Sequence, residues 1–204
     1  MTSCSLFKVV SETKLGAISG KVFGTVARIN LGTIKGKKTK QCFIDPLFGF
    51  RDDTLDCLLP EDQPEMSPCT ISAFTIPKFA PESEKGMTFV EWAAMILGVS
   101  PETSPETLEK LLKECDHTMA LTQDENMVED TENKLKLGLE TDMHAGELPN
   151  FSFAENDDGK ISVVRMFRAR TWDINIFLFG FGAHWSTDIR FFIRNFDPSV
   201  FQTY

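Results

Sequence analysis

Tyrosine is almost missing from this chain: there is one, against eighteen phenylalanines. Phenylalanine brings apolar area without a hydroxyl to satisfy. The ratio points to a deep core, an oily partner surface, or both. Histidine is scarce as well, with only His117, His144 and His184. His184 lies close to Ser186 and Asp188, but no Gly-x-Ser-x-Gly elbow surrounds the serine. Triads are also not usually assembled from residues so near in sequence. Cys115 and His117 offer two ligands, with no second pair at metal spacing. Asn156 to Ile161 begins like a calcium loop. With Gly159 at the sixth position, however, the first ligand position is Ala154 and the twelfth is Arg165, where a bidentate acid is required. Phosphate-loop and dinucleotide fingerprints are absent. No catalytic residue, no metal and no cofactor is expected, and the reading is not an enzyme.

The five cysteines are odd in number, irregularly spaced and without a Cys-x-x-Cys pair. That favours a reduced compartment, with the thiols acting as small core hydrophobes. Without a charged-plus-apolar leader at the start, the expectation is an intracellular protein, cytoplasmic or nuclear. No apolar run approaches the ~18 residues of a membrane span. The single sequon, at Asn150, reads as a chance triplet.

What is present is an ordinary globular composition over 204 residues, 42% hydrophobic and 25% charged, enough to build a substantial core. The net charge of -9 is unevenly spread. Residues 1–44 carry a net +7, residues 45–80 a net -5, residues 81–160 a net -13 and residues 161–204 a net +2. Two basic blocks therefore flank an acidic middle. A solvated acidic face with ordinary surface lysines explains this equally well.

Period-two alternation and β-branched content predict strands at 5–10, 16–31, 41–50 and 69–79, then at 151–153, 160–181 (one strand or two) and 187–196. Pro60, Pro64 and Pro68 make 51–68 a loop, with one turn near Leu55 to Leu58. Thr88 with Glu91 three residues on is a capping box opening a helix that Gly98 stops. Ser104 followed by Pro105 starts a second helix, running to about Thr118. The acidic segment 121–146 is expected to be partial helix or disorder. Asn156 to Gly159 is a hairpin turn. The fold class is α+β: a mainly antiparallel barrel or sandwich built from 1–80 and 150–197, with a helical acidic insert at 81–149. Two small domains bridged by helices are the alternative.

The functional signal is in the arginine and phenylalanine rows. Arg190, Phe192 and Arg194 share one strand face, and Ile189, Phe191 and Ile193 share the other. Upstream, Arg165 and Phe167 share a face opposite Arg168 and Arg170. An exposed aromatic between guanidinium groups suits a protein interface. It equally suits a stacking platform for single-stranded nucleic acid, with Lys35, Lys37, Lys38 and Lys40 contacting phosphates. A third reading folds the acidic insert back over the basic sheet. The leading expectation is a non-catalytic interaction protein, forming homo-oligomers head to tail as an assembly component, viral or otherwise. A single-stranded nucleic-acid-binding β-barrel is the alternative.

Overall fold

The computed structural model describes residues 24–75, 86–186 and 188–195. The strand expected at 5–10, the start of 16–31 and the end of 69–79 lie outside them. Nine strands and four helices follow one another among the described residues. In chain order they are β1 (Gly24–Leu31), β2 (Lys37–Lys38), β3 (Phe48–Arg51), α1 (Leu55–Leu58), β4 (Asp62–Gln63) and β5 (Cys69–Thr75). Then come α2 (Phe89–Leu97), α3 (Pro105–Glu114), α4 (Leu121–Lys136), β6 (Asn150–Glu155), β7 (Ile161–Arg168), β8 (Trp172–Leu178) and β9 (Arg190–Arg194).

Seven strands form one sheet in the order β1-β5-β9-β6-β7-β8-β3, and β2 pairs with β4 in a separate ribbon. The class is mixed α+β as expected, but the sheet stays open and is not closed into a barrel. Four of its pairings are antiparallel, while β6–β9 and β3–β8 are parallel.

Alternation along the strands sends side chains to both faces, and each face has its own core. On the first, Phe151, Phe153, Val163, Phe191 and Ile193 pack beneath α2 and α3. Its centre is aromatic, with Phe153 and Phe151 at 4.9 and 5.5 Å from the Phe191 ring. Burying one such ring contributes about 1.5–3 kcal/mol. On the second face, Ile71, Ala73, Val164, Met166, Trp172, Ile174 and Phe192 lie under Leu121, Met127 and Val128 of α4.

The helix signals act as the sequence implies. The Thr88 amide donates to Glu91 at 2.7 Å and Thr88 Oγ1 accepts the Glu91 amide, while Gly98 ends α2 in the left-handed region. Ser104 Oγ accepts the Thr107 amide at the start of α3. One segment differs from expectation. Residues 41–50 form a strand only from Phe48, because Phe43 has φ 61° and gives its amide to Glu125 of α4. In the acidic segment 121–146, expected as partial helix or disorder, residues 121–136 are helical, held by a buried polar face as well as by apolar residues.

Candidate interaction surface

The basic residues singled out by the sequence separate into those the chain itself engages and those it leaves open. Arg168 Nε donates to Glu132 at 2.5 Å, and Trp172 Nε1 donates to the same oxygen at 2.8 Å. Burial opposes the Glu132 carboxylate, but these two hydrogen bonds outweigh it and hold its carboxyl below the usual range. Arg190 donates to the carbonyl oxygens of Thr141 and Asp142 at 3.2 and 2.6 Å. Arg194 is ion-paired with Asp116 and Lys37 with Glu125. Lys38 lies 2.7 Å from Asp62 and 3.3 Å from Glu61. Every one of these partners belongs to the acidic stretch between residues 45 and 160. The partners of Arg168, Arg190, Arg194 and Lys37 lie in the insert at 81–149, which folds back over these residues, whereas Glu61 and Asp62 precede it.

The row on β9 is therefore corrected. Phe192 is not an exposed platform: it is fully buried, flanked on its sheet face by Ala73 and Ser152. Alternation correctly separates its face from that of Phe191, but α4 covers this second face too. Asn150 is also buried, saturated by His144 and Met166, so the sequon is not available in the folded chain.

Lys35 and Lys40 stay exposed, with no ion pair among the described residues. Lys35 and Lys37 line a shallow cleft of ≈ 340 Å³ with Glu125, Asn126 and Glu129 of α4. That cleft is on the α4 side of the sheet. Arg165 and Phe167 point to the other side, so the proposed phosphate lysines and the proposed stacking residues do not converge. Arg170 is exposed at the tip of the β7–β8 hairpin.

What remains open is a corner on the first face. There α2 reaches as far as Phe177, which packs on Phe89 at 5.9 Å. Beyond it, register places Phe167 opposite Asp173 and Asp173 opposite Phe50, in one row across β7, β8 and β3. Arg165 stands in the next row, opposite Asn175. Its guanidinium lies over the Phe167 ring, 5.2 Å from the centroid. Burial pulls the Arg165 guanidinium below its ordinary range, and nearby Asp173 works against that shift. Phe50 is 50% exposed.

Phe50 and Asp173 escape the sequence reading for a physical reason. Simple alternation would give Phe48 and Phe50 the same face. The register shifts between them, so Phe48 faces the α4 core and Phe50 faces the open corner. Gly49 permits this: a Cβ there would stand 2.1 Å from Thr171 Oγ1. Asp173, the one acid inside the apolar run of β8, was the available signal.

Among the described residues no three His, Cys, Asp or Glu side chains are grouped to hold a metal. His117 is buried with Nδ1 3.0 Å from the Arg194 carbonyl oxygen, and burial lowers its pKa. Ser186 Oγ accepts the Asp188 amide at 3.1 Å, a local turn contact. No described helix is long and apolar enough to cross a membrane.

Among the described residues, fold and surface together define an open-sheet α+β protein with helices on both faces and an aromatic corner that no described element covers. Comparison with protein-family models, curated proteins and solved structures finds no match.

Proposed function

We propose that the protein is a non-catalytic interaction protein that binds other chains, copies of itself included, through the β7–β8–β3 corner. The observation that supports this is the pairing of exposed Phe50 and partly buried Phe167 with Arg165, whose buried Nε has no hydrogen-bond acceptor among the described residues. Aromatic residues and arginine are what interface centres favour, and an unsatisfied buried donor is costly unless a partner supplies the acceptor. The basic rows on the opposite face favour assembly less, because the chain already supplies their acids.

Size-exclusion chromatography with light scattering, over a concentration series at low and high salt, tests the reading. Masses above the monomer are expected, and they should fall in Phe50→Ala/Phe167→Ala. A monomer at every concentration overturns it. Single-stranded nucleic acid is the second reading, favoured by the stacking of Arg165 on Phe167. An absence of anisotropy change with labelled oligonucleotides at low salt would end it.

A further inference from the structure

We infer that the occupant of the β7–β8–β3 corner is the same corner of a second copy, placed by a two-fold axis, so that the assembly is a closed dimer. The inference rests on the proposed interaction role of this corner and adds the partner and its symmetry.

The argument is one of charge self-complementarity. The corner carries one cation, Arg165, and one anion, Asp173. They are diagonal neighbours on paired strands, since Arg165 is opposite Asn175 and Phe167 is opposite Asp173. Diagonal positions lie about 7–8 Å apart, and no ion pair joins the two. Neither side chain has a hydrogen bond or salt bridge to any described residue; within the chain Arg165 has its ring contact with Phe167 and the longer-range attraction of Asp173. Everywhere else in the sheet an inward-leaning arginine is bound by the chain itself, as with Arg168, Arg190 and Arg194.

An isologous interface needs a patch in which one group meets another and the second meets the first in return. A cation and an anion side by side, with no salt bridge joining them, meet that condition. A two-fold axis through the corner brings Arg165 onto the partner subunit's Asp173, and Asp173 onto the partner subunit's Arg165. The same operation packs Phe50 and Phe167 against their counterparts and removes the exposed half of the Phe50 ring from water. A head-to-tail chain would instead need two different complementary patches. Its expected source, the basic rows on β9 and the β7–β8 hairpin, is largely neutralised from within.

Charge reversal tests the inference. Arg165→Glu and Asp173→Arg each place like charges against each other twice across the axis, whereas the double variant restores two attractive pairs. Sedimentation equilibrium should give a dimer for the unaltered chain, with a mass that stops growing with concentration. Each single reversal should raise the dimer dissociation constant about tenfold or more, and the double variant should recover most of that loss. Two results overturn the closed dimer: single reversals that leave the dissociation constant unchanged, and a double variant that dimerises no better than the singles while keeping a native far-UV spectrum. Should the reversals fail to fold, Phe50→Asp on the short edge strand carries the test. Loss of the dimer is expected, and a persisting dimer overturns the inference. Masses that climb without limit would overturn the closed dimer and leave self-association standing. A monomer throughout would overturn both.

Discussion

At the scale of single residues, the decisive groups are acids placed where acids are costly. Asp124 is fully buried against the sheet, with Oδ2 accepting the Ser152 hydroxyl at 2.8 Å and Oδ1 unpartnered. Burial pushes its carboxyl up to about 8, and the Ser152 hydrogen bond offsets only part of that shift. It is therefore protonated in the native protein at neutral pH. Its contribution to stability is complete below the unfolded value near ~4. That contribution is lost as the pH rises towards 8, because the unfolded chain releases the proton first. Buried His117 and His144 act in the opposite sense: burial depresses both, so their contribution is lost as the pH falls below ~6.5. Asp124→Asn should remove the fall in stability that Asp124 causes between about pH 4 and 8 and leave the loss from the histidines below ~6.5 in place. Urea midpoints between pH 4 and 8 would read this, and an unchanged slope above pH 6.5 would contradict it. Composition alone gives no hint of Asp124. Leu121 to Lys136 reads as a polar segment because its polar residues make up much of the buried face.

At the scale of elements, what could be read in the sequence followed local chemistry. Thr88 with Glu91, Gly98, and Ser104 with Pro105 fix helix ends through hydrogen bonds spanning only a few residues, and all appear where expected. The Asn156–Gly159 turn is equally local, with the Asn156 amide reaching the Lys160 carbonyl at 2.9 Å. What escaped reading depended on distant residues. Phe43 is held out of a strand by Glu125, 82 positions away. Phe50 is turned to the other face by the fit of Gly49 against Thr171. Thr88→Ala should lower stability by about 1 kcal/mol, within the 0.5–2 range for a lost cap. Thermal unfolding would show a lower midpoint with the fold retained. No change would mean that the packing of Trp92 and Phe89, not the cap, sets the start of α2.

At the scale of the whole molecule, the charge asymmetry was legible but its destination was not. Two basic blocks around an acidic middle fit assembly, nucleic-acid binding and self-masking alike, because charge acts over distance and sequence does not give distance. The register of β9 between β5 and β6 decides among them for Arg190 and Arg194. The open sheet was illegible for a similar reason. Strands drawn from both ends of the chain suit a barrel as well as an open sheet, and the sheet is open because its end strands in the described order, β1 and β3, do not pair with each other. A chain shortened to end at Asp188 should lose cooperative unfolding. Far-UV spectra across a urea series would check this, and a single sharp transition in the shortened chain would refute it.

The place of β9 also bears on how the protein comes into being. This five-residue strand is the last described, yet it sits third in the sheet and among the described strands is the one that joins β1–β5 to β6–β7–β8–β3. Until Arg190 to Arg194 are in place, the described strands can pair only as two half-sheets, each with an unpaired edge open to a neighbouring chain. Docking of Arg190 to Arg194 joins them, and the interval before it is when the chain is most open to mispairing.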